Sequence, residues 1–133
     1  MKLFIDKDAE IKVGINLTED AKGKLVCWGD SEEAPEGLEK SKIDHHDVFF
    51  RVPSYKDHML FLDAGLKVDG EGNLSIVSDQ LKYTRLFTLL KGWTFKDDSG
   101  KEIPATKESL DALFPVICDT IASELGKALN SAG

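Results

Sequence analysis

Cysteine is scarce in this chain of 133 residues: Cys27 and Cys118, far apart, are the only two. A small secreted domain stapled by disulfides carries more of them, at regular spacing. Both thiols are therefore expected to be free and to pack as small hydrophobes. Long apolar runs are also missing. The uninterrupted ones extend over only a few residues, too short for a membrane-spanning helix. Met1–Asp20 shows no basic stretch followed by an apolar one, so no leader is expected and a reducing cytoplasm is the expected compartment. Arginine occurs only at Arg51 and Arg85, and 17 basic residues face 24 acidic ones for a net charge of -7. Affinity for a nucleic-acid backbone rests on clustered Lys and Arg. Neither nucleic acid nor an anionic membrane is an expected partner.

Chemical motifs are equally thin. No Gly-x-Ser-x-Gly elbow occurs, and neither Cys27 nor Cys118 has a histidine nearby in sequence. Gly100-Lys101 lacks the preceding glycine spacing and the following Ser or Thr of a phosphate loop. His45, His46, Asp47 and His58 are the right residue types for zinc or iron. Adjacent strand residues point to opposite faces, however, so His45 and His46 do not easily share one ion. Asp69-Gly70-Glu71-Gly72-Asn73 has oxygens at the first, third and fifth positions of a calcium loop, but Leu74 and Gln80 stand where Gly and Glu are needed. A turn is the simpler reading. No catalytic residue, metal or cofactor is expected, and the chain reads as non-enzymatic.

What is present is a patterned single domain of the α+β class, with a small N-terminal antiparallel sheet packed against a mainly helical C-terminal half. Residues 1–53 read as mainly β and 54–133 as mainly α. Ile11, Val13, Ile15 and Leu17 alternate with polar residues, the period of a half-buried strand. Lys24–Trp28 is a second strand, placed to form a hairpin with the first. Gly29–Lys42 is acidic and carries Pro35 and Gly37, with Leu38 its one large hydrophobe. It reads as a solvated, mobile loop, the alternative being a segment that orders on a partner. Asp47–Val52 is a third strand, ended by Pro53.

Ser54 with Asp57 three residues on forms the start of a short helix over Tyr55–Ala64, stopped by Gly65. Gly and Asp in Val68–Ser75 mark a turn between Leu66–Val68 and Leu74–Val77. Ser78 or Asp79 is placed to cap a helix to about Lys91. Its stripe is Tyr83, Leu86, Phe87 and Leu90, and Gly92 ends it. Trp93–Phe95 and Glu102–Ile103 flank the turn Asp97–Gly100. Trp93 is expected in the core. Thr106 caps a further helix, and Pro115 opens a last one as its first residue. The stripe Leu110, Leu113, Phe114, Ile117, Ile121, Leu125, Leu129 is long for so small a core. Leu125 and Leu129, at its free end, are candidate partner-binding residues. The equal alternative is that they cap the core near the N-terminal strands.

The order of these features over about Val48–Leu129 resembles a known family. It runs from Arg51-Val52-Pro53 after a strand, through an apolar helix leading to Trp93, to a turn with Asp98 and Gly100. Ile103-Pro104, Thr106-Lys107-Glu108, Leu110, Leu113 and a final helix follow. This arrangement resembles the small tail assembly chaperones of long-tailed bacteriophages and prophages, encoded near the tape measure gene. The resemblance implies a protein of the host bacterial cytoplasm that holds the tape measure or tail tube protein before the tail polymerises, with self-association as a further option. Two other classes stand beside it: a structural virion component such as a minor tail or connector protein, and a small metal-binding enzyme using His45, His46 and His58.

Overall fold

The computed structural model describes residues 1–6, 8–76 and 78–132. Its main sheet has four antiparallel strands in the order β2-β1-β3-β6. They are β1 (Glu10–Glu19), β2 (Leu25–Gly29), β3 (Asp44–Arg51) and β6 (Leu90–Trp93). A short hairpin, β4 (Leu66–Val68) with β5 (Leu74–Ile76), lies between helices α1 (Tyr55–Gly65) and α2 (Ser78–Leu89). Helices α3 (Lys107–Asp111) and α4 (Pro115–Ala132) complete the chain. No helix among the described residues is long and apolar enough to cross a membrane. The architecture is α+β, with the sheet mostly in the first half and the helices in the second.

Alternation decides which face of the sheet is buried. Val13 and Ile15 of β1 and Val48 and Phe50 of β3 share one face and are buried. Helix α4 packs on β1 and β2 over that face, and brings in Ile117, Ile121 and Leu125. Leu86 and Leu89 of α2, Phe61 of α1, Phe95 and Leu110 close the same core. Each fully buried side chain of this kind contributes roughly 1.5–3 kcal/mol.

Three hairpins are closed by one recurring five-residue turn. Asp20–Lys24, Asp69–Asn73 and Asp97–Lys101 all read Asp-x-x-Gly-x. In each, Oδ1 of the Asp accepts from the backbone N–H two and four residues on, at 2.8–3.0 Å. Gly23, Gly72 and Gly100 take φ between 78° and 84°, a conformation that costs a side chain but not glycine. The Asp69 carboxylate is thus engaged by its own backbone. Those hydrogen bonds, that from Asn73 first, hold its pKa below the usual carboxylate range.

Four expectations change. The helix placed up to Lys91 ends at Leu89, and Leu90–Trp93 becomes strand β6. Gly92 therefore lies within a strand opposite Phe49, not at a helix end. The free edge of β3 offers unpaired backbone groups, and pairing them outweighs two more residues of helix. Strand β3 begins at Asp44, three residues early, because β1 is long enough to pair Leu17 with Asp44. Trp93 is only half-buried, though its indole N–H donates to Ile103 O at 2.6 Å and its ring meets Phe95 edge-on. The expected cap at Ser78 and the strand end at Val77 fall on residues whose side chain or placement lies outside those described.

The acidic segment is fastened where it leaves β2. Glu124 of α4 is buried, and its carboxylate accepts from the Ser31 N–H at 3.0 Å and from Ser31 Oγ at 2.7 Å. It reaches Ser31 across Gly29. A Cβ on Gly29 would lie 1.5 Å from Glu124 Oε1 and 2.3 Å from Glu124 Cγ. At the other end, Thr18 Oγ1 donates to Lys42 O at 3.2 Å. Between the anchors, residues 32–37 are exposed and Leu38 is half-buried.

Gly29→Ala is expected to cost about 2–3 kcal/mol by expelling Glu124 from the sheet. In a Glu124→Ala background the same change should cost less than about 1 kcal/mol. Urea denaturation of the four proteins of this cycle measures the coupling; additive costs would mean that Glu124 does not rely on the missing side chain.

Candidate protein-binding face

The rotation of α1 about its own axis is set at its first turn. Ser54 Oγ accepts from the Asp57 N–H, and Asp57 Oδ2 accepts from the Ser54 N–H, a reciprocal capping box. Both Asp57 carboxylate oxygens are also bound by the Arg51 guanidinium at the end of β3, one of them at 2.8 Å. Asp57 is buried, and with it Phe61 and Gly65 one and two turns on. Arg51 holds the Asp57 carboxyl far below the usual carboxylate range, assisted by the Ser54 hydrogen bonds.

With Asp57, Phe61 and Gly65 inward, a second apolar row is turned outward. Tyr55, Met59 and Leu62 of α1 and Leu66 at its C-cap are spaced i, i+4, i+7 and i+11. At about 100° per residue they lie within about 60° of one another, centred about 130° around the helix from the buried row. They are 42–76% exposed. Leu66 and Val68 are two apart on β4, and Leu74 pairs with Val68 across the hairpin, so the three side chains share one hairpin face. Val68 and Leu74 are 64% and 69% exposed. The row of α1 thus runs into an apolar hairpin face through Leu66. Single exposed hydrophobics are ordinary. An ordered row continuing onto a second element is the kind of surface that partners cover. Leu3, Phe4 and Ile5 are also exposed, but they sit on irregular chain without such spacing.

The residues singled out from sequence lie elsewhere. Leu125 is 1% exposed and belongs to the core, so of the two equal readings of this residue the structure takes the one in which it caps the core, not the one in which it meets a partner. The reason is that α4 packs on β1 and β2, which brings Leu125 into the shared core. Leu129 is partly buried against the same core. The outward row of α1 was legible as a spacing, but its i, i+4, i+7, i+11 pattern reads by default as a core stripe. Only the inward pull on Asp57 shows that it is not.

The three histidines go to three places. His45, on the sheet face away from α4, pairs with Asp30 at 2.9 Å, and Asn16 donates to the same carboxylate at 2.9 Å. This group sits over Gly14, where a Cβ would lie 1.8 Å from Asp30 Oδ2. Burial pushes the Asp30 carboxyl up, but the hydrogen bonds from His45 and Asn16 and nearby positive charge together bring it below its ordinary value. His46 points to the other face, beside Thr94 and the Phe95 ring. His58 is on α1, facing the Tyr55 ring. Among the described residues, no group of three or more His, Cys, Asp or Glu is placed to hold a metal ion. Cys27 and Cys118 are free, and burial pushes both thiols up, away from the reactive thiolate.

The chain matches no protein-family model, no curated protein and no solved structure.

The Arg51–Asp57 pair predicts an acid limb of stability. A depressed folded-state pKa stabilises the fold above the unfolded Asp value of about 3.9, and that contribution is lost as pH falls from there through the folded value. Arg51 is 40% exposed, so solvent screening moderates the effect. Asp57→Asn should cost about 1–3 kcal/mol at pH 7 and flatten the loss between about pH 4 and pH 2. Urea melts at both ends of that window check it; an unchanged acid limb in the variant would assign it to other carboxylates.

Proposed function

We propose that this chain is a non-enzymatic protein-binding protein, and that it holds an apolar segment of its partner on the outward row of α1 and the adjoining β4–β5 hairpin. The observation that supports this is the exposure of Tyr55, Met59, Leu62 and Leu66 as one continuous row on a firmly capped helix. A helix normally turns its apolar stripe into its own core. Here a different side is anchored inward, with an ion pair at its first turn, and the stripe is left for another molecule. An amphipathic surface of this form suits an apolar helix or strand that would otherwise aggregate.

The family resemblance supplies the partner. In the reading it implies, the chain is a phage or prophage tail assembly chaperone in the host cytoplasm, and its client is the tape measure or tail tube protein before polymerisation. A surplus of acidic residues, with net charge -7, keeps such a carrier dispersed while it presents an apolar face. Release then needs only competition from client self-assembly, because no covalent step is involved.

The test is co-expression with the tape measure protein encoded in the same gene cluster. Met59→Glu with Leu62→Glu is expected to lower recovery of soluble client at least about tenfold, as for loss of central interface residues. The thermal unfolding midpoint of the chain itself should barely move, since surface changes cost within about 0.5 kcal/mol. Full client recovery with the double variant would reject this face, and a gene cluster with no tail genes would reject the client.

A further inference from the structure

One end of the apolar row opens into a groove of about 550 Å³ between the start of α1, α2 and the last turns of α4. Phe61 and Leu129 give it apolar walls; Ser54, His58, Arg85 and Asn130 give it polar ones. Tyr55 lines it too, so groove and row share a residue. Arg85 is the unusual member. It is half-buried, and among the described residues its guanidinium has no hydrogen-bond or ion-pair partner. It lies beside α4, where a Cβ on Gly126 would be 3.8 Å from Arg85 Nη2. The chain's other arginine, Arg51, is saturated by Asp57. In a protein with seven more negative than positive charges, this half-exposed guanidinium has no carboxylate beside it and is open to one from another molecule.

We infer that this groove is a subsite for a carboxylate on the partner segment, with Arg85 as its anchor, so that the occupant is an apolar peptide bearing a carboxylate at the end that enters the groove. The inference rests on the protein-binding reading and specifies its partner. The planar fork of a guanidinium binds a carboxylate through two parallel hydrogen bonds. His58 and the Asn130 amide lie in the same groove as further donors. Phe61, Leu129 and Tyr55 flank the charge with apolar surface, which a free inorganic anion has no use for. The residue next to the carboxylate covers that surface, and the peptide continues along Met59 and Leu62. Burial draws the Arg85 pKa down from its usual range.

Three probes test this in nuclear magnetic resonance titrations of the ¹⁵N-labelled chain: N-acetyl-leucyl-phenylalanine, its C-terminal amide, and sodium phosphate. The acid is expected to shift Tyr55, His58 and the Arg85 side-chain N–H, and to bind roughly tenfold more tightly than the amide, the factor a charge-assisted contact provides. Arg85→Gln should abolish the difference between acid and amide without moving the thermal midpoint. Arg85→Lys, a point charge without the fork, should restore part of it. Equal binding of acid and amide overturns the subsite; if both still shift Met59 and Leu62, the protein-binding face survives without it. Phosphate shifting Arg85 as strongly as the acid, or no response in the groove to any probe, overturns it as well.

Discussion

The contact between Arg51 and Asp57 governs how the rest of the surface is presented. It joins the end of a central strand to the first turn of α1, and the capping box at Ser54 locks the same carboxylate to the backbone. A helix with apolar residues on two sides has two plausible rotations. Burying Asp57 against the half-exposed Arg51 selects one of them. Phe61 then enters the core, and Tyr55, Met59 and Leu62 are turned outward. A buried ion pair is seldom a large net source of stability, but it discriminates strongly between arrangements, because the wrong one strands a charge. That discrimination creates the exposed row.

The acidic segment between β2 and β3 is held by a similar economy. Two glycines in adjacent strands leave space on opposite faces of the sheet. Over Gly29 the carboxylate of Glu124 arrives from α4 and takes both donors of Ser31. Over Gly14 the Asp30–His45–Asn16 group assembles on the other face. Consecutive residues Asp30 and Ser31 are thus tied to different sides, and the chain leaves the sheet in a fixed direction before it becomes exposed. Neither position needs the left-handed conformation open to glycine; what both need is the absent Cβ.

Charge and apolar surface are combined in one region. The proposed partner face has an apolar row at its centre and a lone guanidinium at one end, on a body that is otherwise acidic. Such an arrangement favours a partner segment that is apolar and carries its own negative charge at one point. It disfavours polyanions, which the surrounding carboxylates repel.

Most of the fold was legible in the sequence, because it depends on local physics. Period-two alternation gave β1, the capping pair Ser54–Asp57 and the cap at Thr106 gave α1 and α3, Pro115 opened α4, and the Asp and Gly positions gave the turns. Each of these signals acts within a few residues. Tertiary structure decided the remainder, where the outcome depends on a distant partner. Leu90–Trp93 left its helix because the edge of β3 was available to it. Leu125 was covered because α4 packs against β1 and β2. The candidate face belongs to the same group: the spacing of Tyr55, Met59, Leu62 and Leu66 is written in the sequence, but which side of a helix meets water is fixed only when Arg51 draws Asp57 inward.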